Sequence, residues 1–211
     1  MGTNYKIKIL GISGSPRIAS TDYIVNYALD YAKEKFGVEI EYFTVHKKQI
    51  NFCIHCDYCV KKKNGCVHKD DMAELYAKLK WADAYIIASP VYQGNLSGQL
   101  KTIFDRCRAL VAQNPKVFEF KVGMGLAVGG DRIGGQEPTI RTILDFYIIN
   151  EIIGVSGGSW GSNLGGTVWS KDKGAEGASE DEEGLRSIKR TVKKLISAIK
   201  YVKGSHHESC K

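Results

Sequence analysis

Five short apolar runs, four of them leading into a stretch with apolar residues at helical spacing, constrain this chain more than any other feature. The runs are Lys6–Ile12, Val38–Val45, Ala84–Ser89, Lys121–Val128 and the Gly-interrupted Ile152–Trp160. Ala84-Tyr-Ile-Ile-Ala-Ser89 shows no polar alternation, as expected of a strand covered on both faces. Helical spacing marks residues 20–36, with Ile24, Ala28, Leu29, Ala32 and Phe36 in phase and Gly37 as a stop, and also residues 70–80, 98–111 and 138–150. A terminal helix is expected over residues 182–203, with Leu185, Ile188, Val192, Leu195, Ile196 and Ile199 on one face. Strands alternating with helices predict an α/β fold: a doubly wound, five-stranded parallel sheet. Residues 1–203 read as one domain, residues 161–180 as a long loop, and residues 204–211 as a flexible tail.

In such sheets ligands bind outside the carboxyl ends of the strands. The three loops of unusual composition leave those ends: 13–21, 89–97 and 129–137. Ser13-Gly-Ser-Pro-Arg-Ile-Ala-Ser-Thr21 is rich in hydroxyls and opens a helix, where free N–H groups favour an anion. Ser13, Ser15, Ser20 and Thr21 can donate to phosphate oxygens, and Arg17 can pair with the charge. The loop is neither a Walker loop nor Gly-x-Gly-x-x-Gly, so a monophosphate such as that of FMN suits it better than a triphosphate or a dinucleotide. An N-cap with surface serines is the plainer alternative. The second loop, Pro90, Val91, Tyr92, Gln93, Gly94 and Asn95, offers a fixed backbone, a flat ring face and a close approach for an aromatic heterocycle. The third, with Gly129, Gly130 and Asp131 before Gly134-Gly-Gln136, also admits a ligand against main chain, although tight turns would explain either loop.

Cysteines 53, 56, 59 and 66 fall in the pattern Cys-x2-Cys-x2-Cys-x6-Cys. Zinc sites usually pair two Cys-x2-Cys knuckles across a longer gap, whereas three cysteines at successive intervals of three are the ferredoxin arrangement for a four-iron cluster. No proline follows the last one, which departs from the ferredoxin run. Zinc and free redox thiols remain the alternatives. Cys107 sits beside Phe104 and Leu110 and reads as a core thiol, and Cys210 in the tail is assigned nothing. His55 and His68 flank the segment and read as surface imidazoles, with a ligand or proton-donor role as the sharper option.

Ser13-Gly-Ser-Pro-Arg17, Ser89-Pro-Val-Tyr92, Lys101-Thr-Ile-Phe-Asp-Arg106, Gly129-Gly130 and Gly134-Gly-Gln136 together resemble the NADPH-dependent FMN reductase group of the flavodoxin-like superfamily. The cysteine segment resembles one branch of that group, the iron–sulfur flavoproteins of anaerobic archaea and bacteria. The match spans roughly residues 6–150, with one departure: Ala19-Ser20-Thr21 stands where many relatives carry Gly-Asn-Thr. The resemblance implies a flavodoxin-like domain with residues 51–68 as a cluster-binding insertion. It implies FMN and a 4Fe-4S cluster as cofactors, with Cys53, Cys56, Cys59 and Cys66 as the cluster ligands. It further implies a homodimer or homotetramer in which cluster and flavin of adjacent subunits meet.

Composition sets the rest. The chain has 211 residues, 43% apolar and 25% charged, with no apolar run of the roughly 18 residues a membrane span needs. The start lacks a signal-peptide core, so a cytoplasmic protein with reduced thiols is expected. The net charge of +7 comes from 30 basic residues spread among 23 acidic ones, which argues against a nucleic-acid surface. Lys47-Lys48 and Lys61-Lys-Lys63 bracket the cysteines and would suit an acidic, ferredoxin-like donor, or else a solvated loop. The expected activity is electron transfer from a one-electron donor through cluster and FMN to a small two-electron acceptor, an oxygen species or a quinone-like molecule. A nicotinamide-dependent FMN or quinone reductase with structural zinc, and a non-enzymatic redox sensor or electron carrier, are the other two readings.

Overall fold

The computed structural model describes residues 6–160 and 163–208; Cys210 and the end of the expected tail lie outside them. The elements, in chain order, are β1 (Lys8–Ser13), α1 (Ser20–Phe36), β2 (Glu39–Thr44), α2 (Tyr58–Lys62), α3 (Met72–Trp81), β3 (Ala84–Pro90) and α4 (Gly98–Arg106). They continue with α5 (Arg108–Gln113), β4 (Val122–Gly129), α6 (Gln136–Ile149), β5 (Ile153–Val155), β6 (Gly166–Trp169), α7 (Gly174–Ser179) and α8 (Glu182–Glu208). The sheet is parallel throughout, in the order β2-β1-β3-β4-β5. The chain reverses its direction of travel across the sheet at β1, so the connections after β1 and β3 diverge and leave a crevice at their carboxyl ends.

Successive strand residues feed two separate cores, which is why β1, β3 and β4 carry no polar alternation. Ile9, Ile86, Met124 and Leu126 pack under α1 and α8, with Val25, Leu29, Ile188 and Leu195. Leu10, Ile12, Tyr85 and Ile87 pack on the opposite face under α3, α4 and α6, with Leu75, Ile103 and Ile143. Each fully buried side chain of this kind contributes about 1.5–3 kcal/mol.

Four boundaries differ from the sequence expectation. The expected fifth strand, 152–160, is regular only over Ile153–Val155, where it pairs with Val122–Met124. The chain then leaves the sheet through Ser156-Gly-Gly158, with Gly158 at φ 97, and returns as β6 along Leu126–Gly129. The expected loop 161–180 therefore holds a strand and the short helix α7. Expected helix 98–111 divides at Cys107, whose N–H is shared between the carbonyls of Ile103 and Phe104, a tightening that separates α4 from α5. The terminal helix passes Gly204 and runs to Glu208, because a lone glycine costs a helix only about 1 kcal/mol. Among the described residues no helix is long and apolar enough to cross a membrane.

Candidate functional site

The loop after β1 is built from its own hydroxyls. Ser15 Oγ donates to the Arg17 carbonyl at 2.8 Å and accepts the Arg17 N–H at 3.1 Å, while Ser13 Oγ accepts the Ser15 N–H at 3.4 Å. Ser13, Ser15 and Thr21 are buried, Ser20 is half-buried and Arg17 is exposed. Ser13 thus shapes the loop from beneath, and α1 starts directly behind it. Buried Asp22 sits in the first turn of α1, where its carboxylate accepts the Ala19 N–H at 3.4 Å and the Tyr42 hydroxyl. Burial, and then the Asp22 carboxylate, push the Tyr42 phenol well above its ordinary range, so it stays a proton donor.

The other two loops close against the first. Ser97 caps α4, accepting the Leu100 N–H at 3.1 Å, and its hydroxyl donates to the Gly14 carbonyl at 2.6 Å. Its own N–H donates to Ser89 Oγ at 2.9 Å. Tyr92 and Asn95 exchange backbone bonds of 2.8 and 3.1 Å across Gln93 and Gly94, whose φ values of 48° and 79° make a tight primed turn. This presents Pro90–Asn95 as a rigid tip, with Tyr92 partly exposed. The loop after β4 touches that tip: a Cβ at Gly135 would lie 2.9 Å from the Gly94 carbonyl oxygen. Buried Gln136 holds the loop, donating to the Asp131 carbonyl at 2.5 Å and accepting the Gly134 N–H at 2.9 Å. Trp169 pins it from outside, Nε1 donating to the Gly130 carbonyl at 2.6 Å, with the Arg132 guanidinium 5.0 Å above the indole and paired to Asp181.

The cysteine segment leaves the carboxyl end of β2, on the same rim. It is tied to the first loop through the Val45 N–H, which donates to the Ser13 carbonyl at 3.2 Å, and through a 2.8 Å bond between His46 Nδ1 and the Pro16 carbonyl. Left-handed φ values at His55, Asp57, Lys63 and Gly65 wind the segment around the single turn of α2. Cys53 and Cys56 are exposed, and Cys59 and Cys66 half-buried. Among the described residues no three Cys, His, Asp or Glu side chains already converge on a common point. The donor set nevertheless fits an iron–sulfur core: four accessible thiols with cations beside them. Arg108 is ion-paired to Asp57 at 2.7 Å, and that bond, followed by the fields of Asp57, Cys59 and Cys53, overcomes its partial desolvation and raises its pKa. Phe52, next to Cys53, lines a groove of about 270 Å³ with Gly98, Gln99 and Thr102 at the start of α4. Cys107 is buried in the core, where burial pushes its thiol up to about 12 and keeps it protonated.

A family model described as NADPH-dependent FMN reductase matches residues 7–166. The chain is 61% identical over 198 residues to an iron–sulfur flavoprotein of Methanocaldococcus jannaschii, covering 94% of this chain and 100% of that protein. The chain belongs to the iron–sulfur flavoproteins. An iron–sulfur flavoprotein of Archaeoglobus fulgidus is 53% identical over 196 residues, 93% of this chain and 99% of the other. The WrbA-like flavodoxin structure from Agrobacterium tumefaciens superposes at a TM-score of 0.63 with 13% identity, over 93% of this chain and 99% of that one, which shows a shared fold alone. Membership makes this iron–sulfur flavoprotein an oxidoreductase and bears out the resemblance carried by the rim loops and the cysteine spacing.

Sequence reasoning gave no role to Ser97, Gln136, Trp169 and Asp181, which hold the rim loops in place. Ser97 was legible, since Ser-Gly directly before a helical run is an N-cap signal. Trp169 comes from a segment whose only signal is the four-residue run Gly-Thr-Val-Trp169, whereas Asp181, directly before the expected helix 182–203, carried the same N-cap signal as Ser97.

Proposed function

We propose that this protein collects single electrons at a 4Fe-4S cluster ligated by Cys53, Cys56, Cys59 and Cys66 and delivers them through FMN to a two-electron acceptor. The cluster exchanges one electron at a time and the flavin one or two, so that the bound pair interconverts the two kinds of redox chemistry. Ser20, Thr21 and the free N–H groups of α1 hold the FMN phosphate, with Arg17 free to fold over it and Ser15 joining them by releasing the Arg17 carbonyl. The primed turn Tyr92–Asn95 and the Gly129–Asp131 backbone would bracket the ring.

The observation that carries this reading is the shared rim. The thiol-bearing segment and the three loops leave the same edge of the sheet, and Phe52 shares a groove with the α4 terminus that Ser97 caps. The relatives named iron–sulfur flavoproteins, matched along nearly their whole length, support both cofactors. Exposed Lys61, Lys62 and Lys63 beside Cys59 suit an acidic ferredoxin-like donor. Phe52 and Ile54, 74% and 64% exposed next to the thiols, suit coverage by a second subunit, so the working unit is a homodimer or homotetramer. The acceptor is a small molecule, an oxygen species or quinone-like compound, and the protein works in the cytoplasm.

The test is metal, sulfide and flavin quantitation on protein purified without oxygen. One cluster's worth of iron and acid-labile sulfide with one FMN per chain is expected, and Cys56→Ser should lose the iron while keeping the flavin. Zinc in place of iron, or a chain that retains no flavin, would refute the reading.

A further inference from the structure

Arg106, the last residue of α4, is the bulkiest fully buried side chain among the described residues, at 1% exposure. A buried cation requires partners, and these lie at the base of the cysteine segment. Nη1 donates to the Asn51 carbonyl and to Asp70 Oδ2, both at 2.7 Å, and Nη2 donates to Asp70 Oδ1 at 2.9 Å. Asp70 also accepts the N–H groups of Asn51 at 3.0 Å and Met72 at 3.2 Å. Residues 51 and 70 therefore meet on one bidentate ion pair, and the intervening chain, with all four thiols, is a closed excursion. The Arg106 Nε–H is buried without an acceptor, so the guanidinium is not fully spent on the clamp. Tyr76, whose hydroxyl donates to the Arg106 carbonyl at 2.8 Å, lines the same cavity as Cys66.

A clamp alone does not explain a charge here. Replacing a buried ion pair with apolar groups of similar shape is often neutral or stabilising. The charge does matter to any redox centre beside it, because reduction adds an electron and a fixed cation in a poorly screened place favours that state. Arg108, Lys69 and Lys80 are closer to solvent and more strongly screened.

We propose that Arg106 is a positioning residue that fixes the base of the cysteine segment and sets the reduction potential of the cluster held there. The inference rests on the cluster reading above. It is tested on the full-length holoprotein by anaerobic potentiometric titration, following the cluster by electron paramagnetic resonance, in wild type, R106Q, R106K and D70N. R106Q should lower the reduced-to-oxidised ratio about tenfold, a fall of ~59 mV for a one-electron couple. D70N should raise the midpoint, because it removes the opposing charge, and R106K should stay near wild type. Breaking the same pair from either side then moves the midpoint in opposite directions, which a merely structural clamp would not do. Shifts of the same sign, or no shift at full iron content, would overturn the proposal. If R106Q sheds its cluster, D70N above wild type with R106K near it upholds the proposal, and loss of the cluster from all three overturns it. Wild-type protein without iron and sulfide would instead defeat the cluster reading before any titration.

Discussion

Gly135→Ala is the sharpest test of how the proposed ring site is built, because Gly135 is where the third rim loop meets the second. Its φ is +105°, and a Cβ there would lie 2.9 Å from the Gly94 carbonyl oxygen, 3.0 Å from Gly94 Cα and 3.0 Å from Val91 Cγ1. Two of those atoms are backbone of a tight turn and cannot swing aside. A left-handed conformation costs a non-glycine residue about 1–2 kcal/mol, and overpacking adds about 1–3 kcal/mol. The variant should therefore lose about 3 kcal/mol, or roughly 6–12 °C in Tm for a chain of this size. Gly94→Ala is the control: φ is +79°, but nothing lies within 4 Å of its Cβ position, so only the conformational cost of about 1 kcal/mol applies. FMN affinity, measured by quenching of flavin fluorescence, should fall about tenfold or more in G135A, ~1.4 kcal/mol, and less in G94A. A G135A protein with wild-type Tm and wild-type FMN affinity would refute this account of the loop contact, as would a G94A protein more damaged than G135A.

Three further outcomes are expected. Burial alone would raise the Asp70 carboxyl, but Arg106 and the N–H groups of Asn51 and Met72 outweigh it and bring it down to about 2. The folded value lies below the unfolded one, so this contribution, about 2 kcal/mol, is complete above pH 4 and fades as pH falls toward 2; denaturant unfolding should show that acid limb in wild type and a shallower one in D70N. Neutralising Lys61, Lys62 and Lys63 together should slow reduction by a ferredoxin several-fold at low salt and hardly at high salt, measured by stopped flow. Cys107→Ala should keep full iron and sulfide and cost about 1 kcal/mol of stability by chemical denaturation, because a buried, protonated thiol acts as packing.

What could be read before the structure divides along physical lines. Strands β1, β3 and β4 were legible because burial on both faces leaves an unbroken apolar run, and α8 because its apolar face repeats at helical spacing. The split edge at β5 and β6 was not, since each strand is too short for periodicity and the glycines between them look like loop. Among the site residues, the hydroxyl-rich loop announces itself by composition, yet its division of labour does not. That Ser13 faces inward while Ser20 stays half-exposed depends on where β1 ends and α1 begins. The partners in the clamp were illegible for a different reason: Asn51, Asp70 and Arg106 lie on three separate segments, and pairs so far apart in sequence leave no local pattern.

The placement of the cysteine segment follows from the topology. β2 is an edge strand, and its carboxyl end opens on the rim where the loops after β1 and β3 diverge. A segment inserted there displaces no core residue, and lengthening a connection costs only about 0.6 kcal/mol for each doubling. What it risks is drift relative to the flavin loops, and α4 limits that. Its first turn is capped by Ser97, which hydrogen-bonds to Gly14 in the loop after β1 and to Ser89 in β3, and its last residue is Arg106, clamped to both ends of the segment. Nine helical residues make a strut of roughly 13 Å. Within one subunit, one short helix thus spaces the rim loops from the base of the cysteine segment, so on the proposed reading variants that loosen either end of α4 should disturb electron transfer before they disturb the binding of either cofactor.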